Sequence, residues 1–174
     1  MTCVAGLELA DGTVMLAADS AISHGDSSVS APSTRKLLRR SGIVMGMAGD
    51  VADMGLIKRQ LDLPHYDGSN PIKWAHQHLV PAIKAAIYAE DDKRDDWDLD
   101  LLVGIGGTLI VVDTWCTVHD HGMKLAAIGS GAEVALGSMF EGKGSPKAIL
   151  TRALRAAHAF KSGVVKPPWR YIRG

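Results

Sequence analysis

The chain has 174 residues, 47% hydrophobic and 22% charged, the balance of one ordinary globular domain that buries roughly two-thirds of its unfolded surface. Nineteen basic residues offset nineteen acidic ones, and zero net charge argues against a nucleic-acid or membrane-surface role resting on bulk electrostatics. Two cysteines, Cys3 and Cys116, are too few for a disulfide scaffold and lack metal-site spacing, so both are read as reduced thiols.

The longest uncharged stretch, Leu101 to Val112, falls well short of the roughly twenty apolar residues of a membrane span. With no basic-then-apolar leader at its start, the chain is expected to be a cytoplasmic protein without membrane contact. It reads as a single domain over 1–174, with no repeat, linker or low-complexity segment.

In chain order, Thr2 to Leu9 and Val14 to Ala18 read as a hairpin turned at Ala10-Asp11-Gly12-Thr13. Both strands are nearly continuous in apolar residues, which suits a sheet covered on both faces. Ser20 to Ser33 reads as a polar loop. A second hairpin, Thr34 to Arg40 and Ile43 to Ala48, turns at Ser41-Gly42. After Gly49 the spacing of Val51, Met54, Leu56, Ile57 and Leu61 predicts a helix.

Another helix is expected from Pro71 to about Ala89, capped by Ser69 or Asn70 and kinked at Pro81. Glu90 to Asp100 holds seven acids in eleven residues and reads as a solvated loop. Strands follow at Leu99–Ile105, Thr108–Val112, about Thr114–Val118 and Met123–Ile128. Two helices come next, one after Gly129-Ser130-Gly131 and one capped by Ser145-Pro146. A short strand near Pro168 to Ile172 ends the chain. This order of strands, helices, strands and helices has no βαβ rhythm. It predicts an α+β protein: a four-layer αββα sandwich of two mainly antiparallel sheets.

The chemistry is carried by segments that are weak singly. They are Thr2-Cys3-Val4-Ala5-Gly6, Asp11-Gly12-Thr13-Val14-Met15-Leu16-Ala17-Ala18-Asp19-Ser20, Arg35-Lys36-Leu37, Gly46-Met47-Ala48-Gly49-Asp50-Val51-Ala52-Asp53 and Ile128-Gly129-Ser130-Gly131. Five in register over some 130 residues are fairly specific. Together they resemble proteasome β subunits and the HslV-type peptidases, within the N-terminal-nucleophile hydrolases.

The resemblance implies that Thr2 is the nucleophile, exposed by removal of Met1. A threonine hydroxyl needs a base, and a free α-amine with a reference pKa near 8 is partly neutral in the cytoplasm. Lys36 stands at the family's catalytic lysine, whose charge depresses the pKa of the Thr2 groups, and Asp19 at the acid paired with it. Gly49 stands where a backbone N–H faces the oxyanion. Ser130, followed by Gly131, stands at the hydroxyl beside the nucleophile, although it also suits a helix cap. Ile22, Thr34, Met47 and Val51 match positions lining the pocket for the residue before the scissile bond. That pocket is expected to be apolar unless Asp50 or Asp53 turns into it.

Two departures from the family stand out. Thr2 to Asp19 is one residue longer than usual, so an altered first turn is expected. Ala159 replaces an aspartate normally three residues before a serine-glycine pair, here Ser162-Gly163.

The histidines His76 and His78, and His119 and His121, make poor chelates, so no metal is expected. No cofactor is expected either. Gly104 to Gly107 lacks the lysine and helix of a phosphate-binding loop. The leading expectation is a threonine-type endopeptidase acting on polypeptides within a homo-oligomeric ring, with any ATPase a separate partner. The alternatives are a catalytically silent scaffold subunit and an amidase of small amides on the same fold.

Overall fold

The computed structural model describes residues 2–24, 27–30, 35–89, 97–120, 122–160 and 167–174. Met1, Thr34, most of the acidic run, His121 and Ser162-Gly163 lie outside these described residues.

Strands β1 (Val4–Glu8) and β2 (Val14–Ala18) form the expected hairpin, with Glu8 opposite Val14. Its turn is closed by the Leu9 N–H donating to the Thr13 carbonyl at 2.8 Å, and Asp11 accepts from both the N–H and the hydroxyl of Thr13. A two-stranded ribbon follows, β3 (Ala21–His24) and β4 (Ser27–Ser30), with Ile22 opposite Val29. The expected polar loop is therefore largely paired backbone. Ladder hydrogen bonds do not depend on side-chain polarity, and the serines conceal the strands from a hydropathy reading.

Strands β5 (Leu37–Arg40) and β6 (Ile43–Gly49) lead into helix α1 (Val51–Gln60). Helix α2 (Pro71–Trp74), a π-helical turn (Ala75–Leu79) and α3 (Val80–Tyr88) run on continuously. Asn70 caps the start, accepting from the Lys73 N–H at 3.0 Å. The irregularity expected at Pro81 takes the form of the π-turn just before it. Proline offers no N–H to the carbonyl four residues back and its ring crowds it, and the Val80 N–H reaches back five residues to Ala75.

Next come β7 (Leu99–Ile105), β8 (Thr108–Val112), β9 (Val118–His119) and β10 (Leu125–Ile128). The strand expected over Thr114–Val118 is mostly a turn. Asp113 Oδ1 accepts from the N–H groups of Trp115 and Thr117, both at 2.9 Å, and Cys116 takes a positive φ of 64°. Helices α4 (Ala132–Phe140) and α5 (Pro146–Phe160) and strand β11 (Arg170–Arg173) complete the order.

The strands form a four-stranded sheet, β10-β1-β2-β11, and a five-stranded sheet, β5-β6-β7-β8-β9, beside the β3–β4 ribbon. All pairings among the described residues are antiparallel. Val4, Val14, Leu16, Val44, Leu102 and Leu109 fill the space between the two sheets. A Cβ on Gly104 would lie 2.1 Å from Val14 Cγ2, so the sheets approach this closely only over glycine. The outer face of the five-stranded sheet carries α1 to α3 on Met45, Met47, Trp74, Ile83 and Leu101. The other outer face carries α4 and α5 on Cys3, Ala5, Ala17, Leu150 and Leu154. Two sheets back to back with helices on each outer face are the αββα sandwich that the element order implies.

Candidate active site

The site lies where β1 begins, at one mouth of the sandwich. Asp19 directly follows β2, and antiparallel pairing of β1 with β2 brings it beside Cys3. Asp19 Oδ1 accepts from the Cys3 N–H at 2.9 Å and Oδ2 from the Ala21 N–H at 2.7 Å. Lys36, just before β5, lays its stem through the protein and is only 2% exposed. Its Nζ donates to Asp19 Oδ1 at 2.9 Å and to Thr2 Oγ1 at 2.8 Å. One ammonium thus joins the two residues that sequence reasoning paired with it.

Burial drives Lys36 below the usual lysine range, while the touching Asp19 carboxylate favours the charged form. A buried ammonium is tolerated only with such a partner. Cys3 sits next to the same acid. Burial, and then the Asp19 charge, push its thiol up to about 12, which leaves it neutral and inert.

The other side of Thr2 meets the turn before α4. The Thr2 N–H donates to Ser130 Oγ at 3.2 Å, Ser130 Oγ donates to the Thr2 carbonyl at 3.4 Å, and the Gly131 N–H donates to that carbonyl at 3.2 Å. The cap of α4 is Gly131, without a side-chain bond, so Ser130 serves Thr2 and not the helix.

Gly49 ends β6 with φ of +134°, where a Cβ would stand 2.0 Å from the Asp98 carbonyl oxygen. The backbone there is clamped. The Asp50 N–H donates to the Asp98 carbonyl at 2.7 Å, and the Asp98 N–H donates to Asp53 Oδ2 at 3.1 Å. Asp50 is the cap of α1, accepting from the Ala52 and Asp53 N–H groups, and Asp53 is fully buried. Both acids are thereby committed to holding the Gly49 corner.

Thr2, Ala48, Gly49, Gly129 and Ser130 line a cleft of about 270 Å³ whose far wall is Asp98, Asp100 and Thr114. Ile22, Met47 and Val51 do not line it. Met47 is fully buried on the helix-covered face of β6, Val51 is exposed at the start of α1, and Ile22 is half-buried in β3. Alternation accounts for this: Ala48 faces the mouth, so Met47 faces away. Ala159 is exposed on α5, and the neighbouring His158 stacks edge-on to Trp169 at 6.1 Å.

Sequence reasoning missed Asp98, Asp100 and Thr114. The available signal was the overlap of the acidic run with the strand expected from Leu99, which sets Asp100 on that strand between Leu99 and Leu101. Among the described residues, no group of three or more histidines, cysteines and acids is placed to hold a metal ion, and no helix is long and apolar enough to cross a membrane.

Neither a protein-family model nor a curated protein sequence matches the chain. Solved structures do. BPH of Thiobacillus denitrificans in complex with epoxomicin superposes with a TM-score of 0.78 at 19% identity, covering 98% of this chain and 97% of that one. Eukaryotic HslV from Trypanosoma brucei gives 0.67 at 20% identity, covering 99% and 98%. Anbu from Hyphomicrobium sp. strain MC1 gives 0.68 at 15% identity, covering 99% and 82%. The fold is therefore that of the proteasome-like N-terminal-nucleophile hydrolases, over nearly the whole chain.

Proposed function

We propose that this chain, with its proteasome-like fold, is a threonine-type endopeptidase whose nucleophile is Thr2, freed at its α-amine by removal of Met1. The observation that carries the reading is the Lys36 ammonium, buried and shared between Thr2 Oγ1 at 2.8 Å and Asp19 Oδ1 at 2.9 Å. A lysine laid through a protein interior to touch a threonine hydroxyl stabilises the alkoxide that forms as that hydroxyl attacks.

The steps follow from the positions. Thr2 Oγ1 attacks the scissile carbonyl carbon, and its proton passes to the neutral Thr2 α-amine, whose nitrogen, here the N–H of the Met1–Thr2 peptide bond, lies 3.2 Å from Ser130 Oγ. Negative charge on the carbonyl oxygen falls to the Gly49 N–H at the fixed corner beside Asp98. The carbon–nitrogen bond then breaks, and the leaving nitrogen takes the proton held on the α-ammonium. The acyl group remains on Thr2 as an ester. A water molecule, deprotonated by the same amine, hydrolyses that ester and restores the hydroxyl.

By resemblance to the proteasome and HslV-type peptidases, the reading extends to a homo-oligomeric ring that acts on polypeptides, with energy from a separate ATPase. The same resemblance assigns Ile22, Met47 and Val51 to an apolar pocket for the residue before the scissile bond.

Intact mass spectrometry combined with hydrolysis of a fluorogenic peptide tests the proposal. Cell-made protein is expected to begin at Thr2 and to cleave the peptide. Full retention of Met1, which leaves the base locked in a peptide bond, would reject it.

A further inference from the structure

The side chains of the far wall of the Thr2 cleft have no part in the steps above. Asp98 is exposed and Asp100 half-buried, and both border the cleft with Thr2 and Ser130. Asp100 lies opposite Ala48 in the β6–β7 pairing, on the side of the sheet that faces the mouth. The third residue of this wall, Thr114, is neutral, and the lining includes no lysine, arginine or histidine. Burial, then the Asp113 charge and to a lesser degree that of Asp98, push the Asp100 carboxyl above its usual range, while the bond from the Thr114 N–H and the nearby His119 pull the other way. Asp113 itself is occupied, accepting from the Trp115 and Thr117 N–H groups.

The chemistry says which half of a substrate meets this wall. The group that takes the proton from Thr2 Oγ1 must return it to the departing nitrogen, so the leaving half passes over the Thr2 nitrogen. That nitrogen rests on Ser130 Oγ, and Ser130 opens into the acidic cleft.

We infer that the Asp98–Asp100 wall selects a basic residue, lysine or arginine, as the first residue on the leaving side of the scissile bond. The inference rests on Thr2 being the nucleophile of a peptidase. It names a substrate class, polypeptides cut immediately before a basic residue. An acid in that place meets two like charges in a partly closed space, and a cation meets two opposite ones.

The test uses the full chain beginning at Thr2 and internally quenched peptides that share one acyl half. They differ only in the first leaving residue: Arg, Leu or Glu. Cleavage before Arg is expected to exceed cleavage before Glu by about tenfold or more in kcat/KM, with Leu between. In the Asp98→Asn/Asp100→Asn variant the Arg-to-Glu ratio, read within that variant, is expected to fall to about twofold. If that variant does not fold, the wild-type protein still decides the matter. Raising the salt from about 0.05 M to about 0.5 M should shrink its Arg-to-Glu ratio severalfold, because screening acts on the charge term alone.

Equal rates on the three peptides, a preference for Glu, or a ratio unmoved by both the substitutions and salt would overturn the inference and leave the peptidase reading standing. Failure to cleave any of the peptides would overturn the peptidase reading and the inference with it.

Discussion

Lys36 Nζ stands 2.8 Å from Thr2 Oγ1 and 2.9 Å from Asp19 Oδ1, with its side chain 2% exposed and that of Asp19 0%. In the proposed reaction the contact serves both catalysis and stability, and substitutions are expected to separate the two. Asp19→Asn strands a buried ammonium, and breaking such a pair from one side costs about 3–5 kcal/mol. Its denaturant midpoint should drop accordingly while hydrolysis is lost. Lys36→Ala should also abolish hydrolysis, leaving Asp19 its bonds to the Cys3 and Ala21 N–H groups. Because the residues act as one unit, Thr2→Ala/Lys36→Ala should be no slower than either single variant. A wild-type denaturant midpoint for Asp19→Asn would show that the pair does not anchor the site.

Gly49→Ala should damage both the fold and the reaction. The added Cβ cannot stand 2.0 Å from the Asp98 carbonyl, and a φ of +134° is strained for any residue with a side chain. Displacing the corner moves the N–H assigned to the oxyanion, and loss of one such donor costs about two to three powers of ten in kcat. Thermal melting and steady-state kinetics check the two effects. Unchanged kcat in a folded variant would remove Gly49 from the reaction.

Cys3 predicts a pH dependence of stability. Its thiol is raised from 9.0 to about 12 in the folded protein, so between those values the native state holds a proton that the unfolded chain releases. Stability from this group is complete below pH 9 and is lost as pH rises towards 12, at up to about 1.4 kcal/mol per pH unit. Denaturant titrations from pH 8 upward should show that fall, and Cys3→Ala should flatten it. An unchanged slope in the variant would mean that other groups dominate alkaline unfolding.

The Thr2–Asp19–Lys36 cluster was legible because its members sit at strand ends within short patterned segments: Thr2 before β1, Asp19 after β2 and Lys36 before β5. Antiparallel hairpins then bring strand ends together almost regardless of what else the chain does. Legibility failed where side-chain chemistry hid the backbone. Ser27 to Ser30 form a strand despite their polarity, and Thr114 to Thr117 form a turn despite their strand-forming composition, because Asp113 caps that turn. Asp98 and Asp100 were lost for a different reason. Only the pairing of Asp100 with Ala48 across β6 and β7 turns an apparently solvated acid towards Thr2, and no local pattern reports a partner strand about fifty residues away. Met47 illustrates the same limit, since its side of β6 is set by Ala48 facing the mouth.

The central claim, that Thr2 Oγ1 is the attacking atom, is tested most directly by the turnover of Thr2→Ala on a fluorogenic peptide that the wild-type chain cleaves. The substitution removes one acceptor from the buried Lys36 ammonium, which keeps Asp19, and should cost the fold about 1.5–3 kcal/mol without unfolding it. Turnover is expected to fall by at least about three powers of ten, as when the nucleophile of a catalytic group is deleted. Hydrolysis by Thr2→Ala at the wild-type rate would contradict the account.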